Sequence, residues 1–374
     1  MNSRERVAAA MHHERPDRVP VMCQLSLGHY FLRAGFQPID IWFDSSTFAA
    51  ALLRLQKRYQ FDGVLINLPG RDPQWRDHVA RIEARGSDSV IHWTDGGVSV
   101  LPADDLPYGT EVRARFEAVD PDALYYVEPY DRAGLTVIRE FSPWQCDTIK
   151  SVRARAPDVS VHSEVFSPFT QLLELVGYTD ALMTLLDDPA KVKACLDALC
   201  RGTTDLMLLQ AQCGVDAVLI SSAFAGAGFI GRHHYQEFVL PFEQRVIADF
   251  KQRFPDVPVY THTCGAIGDR LDLMQETGTN GIDTLDPPPL GTVHLEAALR
   301  RFAGSLFLKG NMDPVNTLLQ GSAAHVYDDA VTRLRLARDI YGYILSTSCS
   351  VAPLTSPENI GQLVRAANDA GRYS

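Results

Sequence analysis

Val257-Pro-Val-Tyr-Thr-His-Thr-Cys-Gly265 is a short apolar run, preceded by Pro255, that gives way to glycine just after His262 and Cys264. Its length, β-branched content and Pro/Gly boundaries read as a buried strand. Seven further segments read the same way: 19–23, 63–68, 159–166, 216–221, 281–285, 305–310 and 343–348. Between most of them lie helical patterns, at 47–59, 171–175 with 181–186, 191–213, 234–254, 270–277, 295–302 and 323–341. Strands alternating with helices specify βα units on a parallel sheet, and eight such strands point to closure as a (β/α)8 TIM barrel. Asn2 followed by Glu5 has the form of a capping box, so a short helical extension precedes the first strand and stops before Pro16.

Roughly residues 71–150 interrupt the alternation. Within them, 89–94 and 98–101 flank Asp95-Gly96-Gly97 and read as a β-hairpin, followed by a Pro- and Tyr-rich stretch up to Trp144. The expectation is a single barrel domain spanning 1–374, with this hairpin insertion after the second strand forming a lid or docking surface.

Composition bounds the function. Hydrophobic residues make up 46% of the 374 positions and charged ones 22%, ordinary for a globular chain with a large core. A net charge of −11 without any Lys/Arg-rich run makes nucleic acid a poor partner. The N-terminus has no apolar signal core and no segment approaches the ~18 apolar residues of a membrane helix, so a cytoplasmic protein is expected. Seven scattered cysteines do not form a secreted disulfide framework. No Gly-x-Gly-x-x-Gly or P-loop follows a strand, which leaves nucleotide phosphate binding unsupported.

In a βα barrel the active site is built from loops at strand C-termini. His262 and Cys264 follow the fifth strand segment and Cys349 follows the eighth, so closure brings imidazole and two thiols to one face. A borderline-soft cation such as Zn²⁺ takes that donor set, and three protein ligands leave a position for substrate. Each residue alone has a plainer reading, a Cys as a small buried hydrophobe and a His as a hydrogen-bonded one. A fourth ligand is sought at Asp283-Thr-Leu-Asp286-Pro, with Asp286 favoured because it lies further into the loop; both acids also suit turns before proline. Glu164, Ser222 and Asn311 at other strand ends are candidates to orient substrate, while Asp313-Pro314 reads as a helix cap. Phe166 and Tyr30, among aromatics near the upper loops, are candidates for an apolar substrate wall, against the alternative that they are core.

Taken together, Arg15-Pro-Asp-Arg-Val-Pro-Val21, Phe166-Ser-Pro-Phe169, Asp188-Pro189, Gly214-Val-Asp216, Thr261-His-Thr-Cys-Gly265, Gly310-Asn-Met-Asp-Pro314 and the stretch from Cys349 to Ser356-Pro-Glu-Asn359 resemble the uroporphyrinogen decarboxylase superfamily. Within it, the zinc methyltransferases that work with corrinoid proteins are the more similar branch. That resemblance implies a (β/α)8 barrel and a zinc held by His262, Cys264 and Cys349. True decarboxylases carry an early Arg-rich Gly motif, a strand-end Asp and a late Gly-His. Here those places read Met22-Cys-Gln-Leu-Ser-Leu-Gly28, Asn67-Leu-Pro-Gly70 and Ser348-Cys349. Methyltransferases of the coenzyme M type often have Gly on both sides of the late Cys, where this chain has Ser348 and Ser350. The chain has no Asp-x-His-x-x-Gly corrinoid signature. The resemblance therefore implies a corrinoid carried by a separate protein, and methyl transfer between its cobalt and a small methylated, methoxylated compound. The alternatives are a decarboxylase-like lyase and a methylcorrinoid:thiol methyltransferase.

Overall fold

The structure, a computed structural model, describes residues 1–109, 113–132 and 134–373. In chain order the strands are β1 (Gly63–Ile66), β2 (Val79–Arg85), β3 (Asp88–Trp93), β4 (Val98–Leu101), β5 (Tyr108–Gly109), β6 (Tyr126–Asp131), β7 (Gly134–Ile138), β8 (Ser160–Phe166), β9 (Ala217–Ser221), β10 (Val259–His262), β11 (Gly281–Thr284), β12 (Phe307–Met312) and β13 (Tyr343–Thr347). Seven of them form one parallel sheet in the order β1-β8-β9-β10-β11-β12-β13. Helices follow the strands and cover the outside, giving the barrel architecture that the alternation implied.

The expected first strand, 19–23, behaves differently. Val21 makes an isolated parallel bridge to Leu345, Met22 N–H donates to the Leu345 carbonyl at 3.0 Å, and Asp62 N–H donates to the Val21 carbonyl at 2.8 Å. The segment thus spans the gap between β13 and β1 without forming a ladder. The reason is local. Pro20 has no N–H, and the Val21 N–H is taken by the Asp62 carboxylate at 2.8 Å. Asp62 is fully buried and also accepts from Arg6 Nη1 at 2.6 Å and Arg18 Nη1 at 2.8 Å. Two guanidinium groups offset the desolvation of one carboxylate, and Arg18 belongs to the Arg15-Pro-Asp-Arg stretch near the N-terminus.

Alternation along the strands separates two cores. Met22, Leu65, Ala217, Leu219, Tyr260, Phe307 and Ile344 point inside the barrel and pack with Val7, Ala10 and Met11 of the N-terminal helix Ser3–Met11. Their strand neighbours Val21, Ile66, Val218, Ile220, Leu308 and Leu345 point outward to the helices. The N-terminal helix starts with the expected Asn2/Glu5 capping box and packs Val7, Ala10 and Met11 against the inner core at the end of the barrel opposite the strand C-termini.

The insertion is larger than one hairpin. The hairpin across Asp95-Gly96 is present as β3 and β4, but it lies inside a four-stranded antiparallel sheet, β2-β3-β4-β5, beside a two-stranded sheet of β6 and β7. β2 escaped the sequence reading because Val79-Ala-Arg-Ile-Glu-Ala-Arg85 is mostly solvent-facing and buries no side chain fully. Tyr130 of β6 packs edge-on against Phe166 at 5.8 Å and Trp42 at 5.7 Å, which brings the insertion over the barrel mouth. The single helix expected at 234–254 is two, Arg232–Phe238 and Leu240–Lys251. Pro241 lacks an N–H and disfavours helical geometry before it, so the chain breaks at Val239.

The second of these helices carries Glu243, which is 1% exposed and accepts hydrogen bonds from Ser222 and Tyr235, with no cationic partner among the described residues. Burial raises its pKa from 4.5 to about 7. A carboxyl whose folded pKa lies above the unfolded one stabilises the fold least when ionised, so stability declines as pH rises from about 4.5 through about 7. Glu243→Gln keeps the Ser222 acceptor and removes the charge. Urea unfolding should show no gain for this variant at pH 4 and a gain on the order of 3 kcal/mol at pH 8.

Candidate metal centre

β10 ends at His262, and the loop after it carries Cys264; β13 ends at Thr347, two residues before Cys349. The barrel brings the loops together. His262 Nε2 lies 3.3 Å from Cys264 Sγ, and Cys264 Sγ lies 3.6 Å from Cys349 Sγ. The three donor atoms all fall within 4.8 Å of one another. These separations suit the edges of a ligand tetrahedron, which for Zn–S near 2.3 Å and Zn–N near 2.0 Å are about 3.8 Å between sulfurs and about 3.5 Å between nitrogen and sulfur. They are far longer than a disulfide, and both cysteines are free thiols. The donor set therefore fits zinc in chemistry and in spacing.

The electrostatics fit as well. Burial opposes charge on His262, but the hydrogen bond to Asp283 and the contact with Cys349 outweigh it and push the imidazole up to about 10. The hydrogen bond from Cys264, helped by His262, holds Cys349 well below an ordinary thiol, while the same contact and burial push Cys264 up. A divalent cation binding imidazole and two cysteines takes them as neutral imidazole and thiolates, so it displaces their protons and metal affinity rises with pH.

Two acids at the end of β11 organise these donors. Asp283, 2% exposed, accepts both oxygens' bonds from buried Lys309 Nζ at 2.9 and 3.0 Å and lies 3.4 Å from His262 Nδ1. Burial raises a carboxyl's pKa, yet Lys309 and His262 overcome it and hold Asp283 down to about 2. The carboxylate fixes the imidazole with Nε2 toward the thiols, the arrangement that orients histidine ligands in metal proteins. Asp286, the fourth-ligand candidate, has both oxygens engaged elsewhere: Oδ2 accepts from Gly265 N–H at 2.6 Å and Oδ1 from Ser348 Oγ. It joins the residue after Cys264 to the residue before Cys349. The side chains whose donor atoms converge closely enough to hold a metal ion, among the described residues, are His262, Cys264 and Cys349 without it.

The backbone between these acids is strained, with Thr284 at φ 75° and Leu285 at φ 60°; a β-branched residue in this region is a real outlier. Tight packing holds it. A Cβ on Gly291 would lie 2.4 Å from the Asp286 carbonyl, and one on Gly226 would lie 2.3 Å from the Cys264 carbonyl, so neither position accepts a side chain without movement.

The other candidates are distributed as follows. Glu164 points into the barrel; burial raises its pKa, with a hydrogen bond from Ser221 and the charge of His262 opposing. Phe166 sits at the mouth beneath Tyr130. Asn311 donates through Nδ2 to the Leu285 carbonyl at 2.8 Å, bracing the strained turn. Ser222 turns its hydroxyl outward to Glu243, and its N–H donates to the His262 carbonyl at 2.8 Å. Tyr30 is 5% exposed and packs edge-on against Phe48 in the outer core. Asp313 caps the turn that follows it, accepting from Val315 and Asn316 N–H groups. Lys309 was not singled out from the sequence, although a lysine two residues after Phe307 in an apolar strand is a signal of an interior partner. A cleft of about 1030 Å³ opens under the insertion, lined by residues including Phe43, Arg71, Trp93, Glu128 and Arg132, and contains none of the three donors.

Comparison with known proteins agrees with this architecture. The uroporphyrinogen decarboxylase (URO-D) family model matches residues 109–370. A uroporphyrinogen decarboxylase of Chlorobaculum parvum is 24% identical over 308 residues, 76% of this chain and 81% of that one. A methylcobamide:CoM methyltransferase of Methanosarcina acetivorans is 26% identical over 156 residues, 42% of each chain. A solved methyltransferase from Methanosarcina mazei superposes over 99% of both chains with a TM-score of 0.72 at 18% identity, a likeness of fold. By its sequence and its fold, the chain belongs to the uroporphyrinogen decarboxylase family.

Proposed function

We propose that the chain is the zinc-dependent methyltransferase of a corrinoid system, moving a methyl group between a small methylated compound, most simply a methoxylated one, and the cobalt of a corrinoid held by a separate protein. The observation that carries the reading is the His262–Cys264–Cys349 donor set at the open end of the barrel, at distances suited to a tetrahedral ion. Bound there, zinc would supply Lewis acidity to the heteroatom that gives up or takes the methyl group. The chain's own residues do the rest. Asp283, clamped by Lys309, keeps the His262 ring in one orientation, and Asp286 keeps the two cysteine loops at a fixed separation. Glu164, a second carboxyl inside the barrel whose pKa burial raises, would hold a proton for the departing heteroatom. In the demethylating direction the carbon–heteroatom bond breaks with its electron pair on the heteroatom, which is then protonated, while the methyl group passes to Co(I).

A partner must approach the open end. Phe229, Leu290 and Leu354 in loops, and Val315 in the short helical segment Pro314–Leu319, are exposed apolar side chains after four different barrel strands, an arrangement that supports docking of another protein at the mouth. No helix is long and apolar enough to cross a membrane among the described residues. A decarboxylase is the second reading, favoured by the relatives of that name. It calls for cationic groups facing an acidic substrate, whereas Lys309 inside the barrel is committed to Asp283.

Purified protein should hold about one zinc per chain, and Cys264→Ala or Cys349→Ala should abolish tight zinc binding without unfolding the barrel, since both side chains lie in loops. Full zinc content in both variants would contradict the assignment. Cobalt absorption spectra of a separate corrinoid protein, followed with methoxylated donors, should change only when the chain is added and should fall by at least about a hundredfold in rate with either cysteine variant. Turnover of a porphyrinogen by metal-free protein would establish the decarboxylase instead.

A further inference from the structure

β6 and β7 fall out of step between Glu128 and Asp131. Glu128 pairs with Thr136 and Asp131 with Gly134, so β6 carries one residue more than β7 over this stretch. That is a β-bulge, an irregularity that re-aims a side chain and recurs beside active sites. Pro129, which has no N–H for a ladder, lies in it, and the next residue is Tyr130. Arg71 clamps the bulge to the barrel wall, donating through Nη1 to the Tyr130 carbonyl and through Nε to the Trp42 carbonyl at 2.7 Å. Its guanidinium lies 4.8 Å over the Trp42 ring, and Trp42 Nε1 donates to the Arg132 carbonyl at 2.6 Å. Tyr130 is thus held between Trp42 and Phe166.

The Tyr130 hydroxyl makes no hydrogen bond among the described residues. By contrast, the buried hydroxyls of Tyr260 and Tyr343 reach His162 at 2.9 Å and the Gly310 carbonyl at 2.6 Å. Burial, with the carboxyls of Glu164 and Glu174 nearby, pushes the Tyr130 phenol up, so it stays protonated and can donate. Along the rim Phe166 pairs with Ser221, and Ser221 with His262. With strands ~4.8 Å apart, Phe166 and the phenol packed on it stand roughly 10 Å from the metal donors. Cys264 and Cys349 are partly exposed, so they open toward the same mouth.

Resting on the methyl-transfer reading, we propose that Tyr130 is a substrate-positioning residue: a donor with its methylated heteroatom at the His262–Cys264–Cys349 centre extends along the rim and accepts a hydrogen bond from the Tyr130 hydroxyl through a second oxygen at its far end. A metal–oxygen bond near 2 Å, a hydrogen bond near 2.8 Å and a para-disubstituted ring between them span roughly that 10 Å. The substrate lies across the open mouth, outside the void of about 30 Å³ that Tyr130 and Phe166 also border. The insertion therefore completes the site.

Calorimetric titration of the zinc-loaded chain, without any cobalt protein, tests this with 4-methoxyphenol, which has the far oxygen, and anisole, which lacks it. Tyr130→Phe removes the O–H and keeps the ring. It should weaken 4-methoxyphenol about fivefold and leave anisole binding, zinc content and the thermal melt unchanged. A 4-methoxyphenol-to-anisole ratio that is the same in both proteins, as a merely structural role would give, or no binding of 4-methoxyphenol by the unsubstituted chain, would overturn the proposal. Binding is read without methyl transfer. The expected ratio change in a chain that methylates no Co(I) would count against the methyl-transfer reading and leave the role of Tyr130 standing.

Discussion

A carboxylate buried as deeply as Asp283 survives only if its charge is matched, and Lys309 from the adjacent strand matches it with two short contacts. The register between β11 and β12 places these residues side by side, and the register between β10 and β11 places His262 beside Asp283. One ion pair thus fixes a carboxylate, the carboxylate fixes an imidazole, and the imidazole presents Nε2 toward Cys264. Removing Lys309 would leave an uncompensated charge and a histidine free to be drawn out of line.

The thiols need a different restraint because they sit in loops. Asp286 provides it by holding Gly265 and Ser348, neighbours of Cys264 and Cys349 respectively. To reach both, the chain leaves β11 through two residues with positive φ, Thr284 and Leu285. Asn311 from the next strand accepts part of the task by donating to the Leu285 carbonyl. Ser348 stands where related methyltransferases often have glycine, and its hydroxyl has a defined partner in this arrangement. The strain is local, adjacent to the donors, and sustained by packing at Gly226 and Gly291.

Much of the fold was legible because barrel strands are short, apolar and bounded by turns. Segments such as 216–221 and 343–348 carry their identity in every residue. The segment at 19–23 looked the same, yet became a bridge because a side chain, Asp62, took a backbone donor that a ladder would have used. No local pattern encodes that. The insertion was read only at its Asp-Gly turn, since β2 is solvent-facing and alternates too little in polarity to declare itself. At the site, His262, Cys264 and Cys349 could be gathered from strand ends alone. The division of labour between Asp283 and Asp286 could not, because both precede proline-rich sequence and differ only in which neighbours the folded chain supplies. Tyr30 shows the converse: an aromatic at a helix near the mouth in sequence is a core residue in space.

The most direct test is X-ray absorption at the zinc edge of the purified chain. Two sulfurs at about 2.3 Å with one or two lighter ligands at about 2.0 Å would match His262, Cys264 and Cys349 with a position left for substrate. A shell of only oxygen and nitrogen, or one with more than two sulfurs, would contradict a centre built from these three residues.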